Sequence, residues 1–229
     1  RKNPQLMLIP GVEMGADVTT GEMHVLGFFV DPYSTKFCRT LDRLRNSRAA
    51  RSRKMVDRLA DMGCQLNWEH ILSIASGASI GRPHVAQAML ERGYVAVLQE
   101  AFDKYIGDDS PAYVEREKLG PIQTVELISQ TGGLPVLAHP AETENLDSVI
   151  EELKPAGLVG IEVFYKDYDE QTITRLVSAA EKHNLIPCGG SDYHGFEDDG
   201  NDIGHCDVPL ETVERLIALQ KERGQDLRN

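Results

Sequence analysis

The sequence predicts an α/β fold of parallel βα units interrupted by a helical insertion, and three observations carry that expectation. From about residue 120 onward, short apolar runs alternate with amphipathic helical stretches, the rhythm of parallel strands joined by crossover helices. Between residues 34 and 119 strand signals nearly vanish. Metal-ligand residue types collect at the ends of apolar runs: Glu13 after Leu8-Ile9-Pro10-Gly11-Val12, His139 after Leu134 to Ala138, and Asp192 with His194 after Leu185 to Ser191. Strand ends of that kind are where α/β barrels keep their active sites.

Taken in order, Leu6 to Glu13 and Met23 to Val30 read as adjacent strands joined by a polar stretch containing Thr19-Thr20-Gly21, with His24 at the start of the second. Met55, Val56, Leu59 and Met62 mark one face of a helix that Gly63 can end, because glycine takes the left-handed C-terminal cap without strain. Trp68 to Ile74 reads as another short helix. Pro83 suits a first helical position, followed by His84 to Arg92 and a Gly93 stop. After the insertion come helix 121–131, strand 134–139, helix 146–153, strand 158–164, helix 169–183, strand 185–191 and helix 210–222, with a sixth strand expected near Ile203 to Val208. The expected division is therefore a barrel domain at 1–33 and 120–229, with a helical insertion subdomain at 34–119.

Composition sets outer bounds. A chain of 229 residues with 41% hydrophobic side chains can bury one substantial core. No run approaches a membrane span and no signal peptide is visible, so a soluble, cytoplasmic protein is expected. Cys38, Cys64, Cys188 and Cys206 lack the close pairing of a zinc knuckle and read as reduced. A formal charge of −12 argues against sequence-independent nucleic-acid binding by the whole surface, while leaving room for a local basic site.

The chemistry lies in the spacing. Asp192 and His194 are two positions apart at a strand's end, so they project from the same side and can reach one metal ion. Glu13 in Pro-Gly-Val-Glu, His24 in His-Val-Leu-Gly, His139 in Leu-Ala-His-Pro, and the Gly-Ser-Asp-Tyr-His run closely resemble the later metal motifs of the polymerase and histidinol phosphatase (PHP) family. The inserted helices, with Gly81-Arg82-Pro83-His84, resemble the branch of that family whose members act on nucleotide 3′,5′-bisphosphates and on RNA 5′ ends. The resemblance implies a distorted seven-stranded (β/α)7 barrel. It implies two or three divalent ions, manganese foremost, with zinc, iron or magnesium as other choices. The family's opening His-x-His strand, which should precede Glu13, is absent from a chain that starts at Arg1. The expectation is an N-terminally incomplete barrel and a fragment that is inactive or poorly folded by itself.

Glu13, His24, His139, Asp192 and His194 are assigned to the metals. Imidazole and carboxylate donors together suit manganese, zinc or iron better than calcium, which takes oxygen ligands alone. In-line hydrolysis of a phosphate ester by metal-bound water then needs no Ser or Cys nucleophile. By similarity to the family, Arg51, Arg82 and His84 are assigned as phosphate or nucleotide contacts, and His84 could instead protonate the leaving alcohol. The Arg-rich helix from Arg39 to Arg58 suits phosphate oxygens, although a solvated charged face produces the same composition. Glu162 is expected at the same mouth, orienting a histidine. The expected substrate is a small nucleotide or a short RNA end, with no membrane and no stable protein partner. Histidinol-phosphate-type phosphatase and a noncatalytic metal-stabilised module are the competing functions.

Overall fold

The computed structural model describes residues 6–18, 21–115, 117–193 and 203–224. The chain forms two compact units, Arg1–Phe37 with Leu119–Asn229, and Cys38–Lys118.

The first unit is built on one mixed sheet of five strands in the order β1 (Gly11–Val18), β2 (Gly21–Phe28), β3 (Leu134–Leu137), β4 (Gly160–Tyr165) and β5 (Ile186–Gly190). The β1–β2 and β2–β3 pairs are antiparallel, and only β3–β4 and β4–β5 are parallel. Purely parallel βα pairing therefore holds for the second half of the sheet and not for the first. The described sheet is open: β1 and β5 are its edges and do not pair with each other. No strand forms among residues 203–208, which are turn and irregular structure, so the expected sixth strand is absent there. The first strand also starts later than the apolar run predicts. Pro10 has no N–H to donate to a ladder, and Leu6, Met7 and Leu8 before it are exposed. Glu13 is consequently the third residue of β1 rather than the last of its strand.

Period-two alternation gives the hairpin two unlike faces. Met14, Ala16 and Val25 are buried, and α5 (Pro121–Gln130) lies against β1, β2 and β3. The approach is close at Gly27, where an added Cβ would sit 2.9 Å from Ile128 Cγ2. The opposite face carries Glu13 directly across from Leu26, with His24 and Phe28 to either side of Leu26 along β2. Those two apolar residues pack in a cluster with Val136, Ile186, Cys188 and Leu216, the last from α8 (Leu210–Glu222). Between α5 and α8 in the chain, α6 (Leu146–Leu153) buries Ile150 and Leu153, and α7 (Glu170–Lys182) buries Leu176 and Ala180 and lies against β4 and β5.

The second unit is helical. It holds most of α1 (Thr35–Asp61), then α2 (Trp68–Ala75), α3 (Arg82–Glu91), α4 (Leu98–Ala101) and a π-helical turn at Phe102–Ile106. Leu59, Val85, Met89 and Ile106 form its core. Asn67 caps α2 by accepting the His70 N–H, the usual service of an Asn N-cap. No described helix is long and apolar enough to cross a membrane.

Candidate metal centre

Antiparallel register brings the first two candidate ligands together. Glu13 stands opposite Leu26 and Gly15 opposite His24, so Glu13 and His24 are diagonal neighbours on one face, within reach for long side chains. The His24 Nδ1 to Glu13 Oε1 distance is 2.9 Å.

His139 joins them by a different route. β3 ends at Leu137, and the Ala138 N–H still donates to the His24 carbonyl at 3.0 Å. Straight continuation of the strand would send the next side chain to the other face. Instead His139 takes φ 29°, ψ 56°, a conformation that costs free energy for a non-glycine residue and persists where surrounding contacts hold it. One such contact is the Glu162 carboxylate, which accepts the His139 backbone N–H at 2.7 Å. The turned ring places Nε2 3.0 Å from His24 Nδ1 and 3.7 Å from Glu13 Oε1.

Glu162 itself is 5% exposed. Burial pushes its pKa up to about 7, working against the donated His139 N–H, with the nearby Asp192 and Glu13 charges adding to the rise. The Glu13 carboxylate is the main influence holding the His139 imidazole above its ordinary pKa; burial opposes it and the Glu162 charge adds to it.

Asp192 lies two residues past β5 and has φ 53°. Its Oδ2 accepts from the Tyr165 hydroxyl at 3.0 Å, and Lys166 Nζ stands 3.9 Å away. Residues three apart in a regular strand face opposite ways. A register shift in β4 pairs Glu162 with Cys188 and Phe164 with Gly189, inserting one residue. That bulge lets Glu162 reach His139 while Tyr165 reaches Asp192. Tyr168 completes the wall, its hydroxyl accepting the Ala141 N–H at 3.1 Å and its ring 5.1 Å from that of Tyr165.

Of the five ligands expected from sequence, the structure gathers Glu13, His24 and His139, whose donor atoms all lie within 4.8 Å of one another. Asp192 stands in the neighbouring Tyr165 contact, and His194 lies outside the described residues. Two imidazole nitrogens and a carboxylate oxygen converging this closely fit a borderline divalent cation, since neutral or anionic lone pairs crowded together gain from a shared positive charge. Glu162 supports the site through the backbone of His139 and not through an imidazole ring. Tyr165 and Tyr168 were missed in the sequence; the one signal was an aromatic-rich run, Phe164-Tyr165-Lys166-Asp167-Tyr168, directly after an apolar strand.

The residues expected to contact substrate lie in the helical unit. Arg51 donates to the Val114 carbonyl and its guanidinium carbon is 5.3 Å from the Tyr113 ring centre. Arg82 lies 5.9 Å from the same ring and pairs with Asp108 at 2.9 Å. His84 Nδ1 accepts the Gly81 N–H at 3.0 Å, so in the neutral ring Nε2 carries the proton.

Mixed α/β architecture with a His/Glu cluster that could hold a divalent metal ion limits the chemistry, and comparison with known proteins supplies the class, a hydrolase of phosphate esters. No family model matches the chain. The chain is 28% identical over 205 residues to a 3′,5′-nucleoside bisphosphate phosphatase of Chromobacterium violaceum, covering 87% of this chain and 72% of that one. It is 28% identical over 198 residues to a 5′-3′ exoribonuclease of Salmonella typhimurium, covering 85% and 68%. A crystal structure from Bifidobacterium adolescentis, provisionally described as a metal-dependent phosphoesterase, superposes with a TM-score of 0.73 at 27% identity, covering 97% of this chain and 78% of that one. These relatives are consistent with the PHP family, and they place the chain among phosphoric ester hydrolases.

Proposed function

We propose that this protein is a metal-dependent phosphoesterase that cleaves phosphate esters of nucleotides, either nucleoside 3′,5′-bisphosphates or the 5′ ends of short RNA. The observation that carries the reading is the convergence of Glu13 Oε1, His24 Nδ1 and His139 Nε2 in a chain whose relatives bear those two names. In this reading Glu13, His24 and His139 hold a divalent ion, manganese foremost, and Asp192 and His194 complete the set for two or three. When bound, the metal would lower the pKa of an attacking water and neutralise charge on the phosphoryl group.

The protein's own residues do the rest. Glu162 fixes the backbone of His139, and Tyr165 fixes the carboxylate of Asp192. Arg51 and Arg82 offer guanidinium forks that match phosphate oxygens. His84, with its Nδ1 occupied by the Gly81 N–H, donates from Nε2 to a substrate oxygen or to the departing alcohol. Closure of the sheet into the family's barrel belongs to this proposal too, and requires strands beyond the five described.

The test is manganese-dependent phosphate release from adenosine 3′,5′-bisphosphate by the full-length protein. Release that His139→Ala abolishes supports the assignment. Release that survives the substitution unchanged removes His139 from the site. If Arg51→Ala and Arg82→Ala leave KM unchanged for every phosphorylated substrate tried, their assignment as contacts is wrong.

A further inference from the structure

We infer that the exposed middle of α1 is a binding surface for the phosphate backbone of single-stranded RNA, holding several nucleotides of a chain at once. The inference rests on the nucleotide phosphoesterase reading and extends it from a terminal phosphate to a strand.

α1 places six basic residues and no acidic one between Arg43 and Lys54, in a chain whose net charge is −12. Like charges three and four residues apart on a helix repel, and this stretch stacks them repeatedly: Arg45 with Arg48, Arg48 with Arg51, Arg51 with Lys54, and Arg39 with Arg43. A helix selected only for solvation would intersperse acids there. Some of these cations are already engaged, Arg43 with Glu117 and Arg51 with Val114 and Tyr113. Arg39, Arg45, Arg48 and Lys54 are exposed and make no ion pair or side-chain hydrogen bond among the described residues.

Packing adds an independent observation. Phe37 at one end of α1 and Ser52, Met55, Val56 and Leu59 at the other are buried, yet no residue from Cys38 to Arg51 is. Arg45 and Arg48 fall on the same helical face as Met55 and Leu59, three to four residues apart along it, where a packed helix would carry apolar side chains. The middle turns thus bury no side chain fully, with Leu41, Leu44, Ser47 and Ala49 half-buried, and they leave Arg45 and Arg48 exposed where burial would otherwise be expected.

Geometry selects the ligand. Arg39 to Lys54 spans about 22 Å at 1.5 Å per residue, the length of roughly six stacked nucleotides at about 3.4 Å per phosphate. A membrane surface would require a continuous apolar stripe beside the cations, whereas Leu41 and Leu44 are the only large apolar side chains between Arg39 and Lys54, and from Arg45 on Asn46, Ser47, Ala49, Ala50 and Ser52 fill the gaps.

The experiment measures binding of a fluorescent 5′-phosphorylated 12-nucleotide single-stranded RNA by anisotropy, in chelator so that nothing is cleaved, across a salt series. Four phosphate contacts give a slope of about −3 in log K against log salt. The triple variant Arg45→Gln, Arg48→Gln, Lys54→Gln is expected to lower affinity about tenfold or more at low salt and to reduce that slope by about 2. Its thermal stability should be unchanged or higher, because repulsion is relieved and Gln is a good helix former. Phosphate release from adenosine 3′,5′-bisphosphate should change less than threefold. Unchanged RNA affinity and slope in the variant would overturn the inference, as would loss of binding to anionic vesicles with RNA binding intact. If the wild-type protein with manganese hydrolyses neither the bisphosphate nor the 5′-phosphorylated RNA, the phosphoesterase reading fails, while the anisotropy series still decides the role of α1.

Discussion

Glu162 is the residue on which the geometry of the site turns. Its carboxylate is buried and accepts the backbone N–H of His139, the residue whose left-handed backbone swings an imidazole onto the face of Glu13 and His24. Glu162→Ala would leave that N–H without a partner, which typically costs about 1–3 kcal/mol, and supporting residues of metal sites typically change affinity by about 10- to 100-fold. Glu162→Gln keeps an acceptor oxygen and should lose much less of both. Urea unfolding and manganese titration of the two variants provide the comparison; equal losses would mean that charge, and not the hydrogen bond, is what matters. Sequence could suggest Glu162 because it stands in an apolar strand. It could not show the bond, because positive φ at His139 before Pro140 has no local signature. Residues before proline ordinarily lie in the extended region.

At the scale of elements, two contacts tie neighbouring elements of the first unit together. Gly189 on β5 lies so close to Phe164 that an added Cβ would overlap the Phe164 carbonyl oxygen and stand 2.6 Å from its Cβ. Gly189→Ala must therefore separate β4 from β5 beside the bulge that serves Glu162 and Tyr165. Overpacking of this kind costs about 1–3 kcal/mol, and weaker metal binding should accompany the lower melting temperature; a variant as stable as wild type would show that the strands part freely. The second contact joins α6 to the end of α7. Asp147 accepts from Lys182 Nζ at 2.7 Å and from His183 Nε2 at 2.6 Å, and these bonds, Lys182 first, hold its carboxyl below the ordinary pKa. With a lowered folded-state pKa, its contribution is present above the unfolded value, about 4, and fades as pH falls through the folded value. Acid unfolding of Asp147→Asn should accordingly show a shallower loss of stability below about pH 4 than wild type. The helices and strands after residue 120 were legible because each carries its own period and stop signals. The antiparallel pairing of β2 with β3 was not, since its direction depends on contacts between residues more than 100 apart in the chain.

For the whole molecule, the same distinction explains what the residue patterns revealed. Five ligand-type residues in order pointed to the class of chemistry, and three of them meet in space. The sheet's closure was a matter of edges, which no local pattern encodes, and the described sheet has two. Metal occupancy couples these levels, because β1, β2 and the end of β3 contribute one ligand each to the cluster and a bound cation would tie all three together. A ligand that binds only the folded state stabilises it by about 2.7 kcal/mol at a hundredfold excess over Kd, or about 5–10 °C in Tm for a chain of this size. Manganese at that excess should raise the melting temperature by this amount, and chelator should reverse it. His139→Ala should remove most of the rise, since it deletes the donor that only the turned backbone supplies. If the variant keeps the full shift, manganese is stabilising the protein from somewhere else, and the convergence of Glu13, His24 and His139 is an ion-pair cluster without a metal.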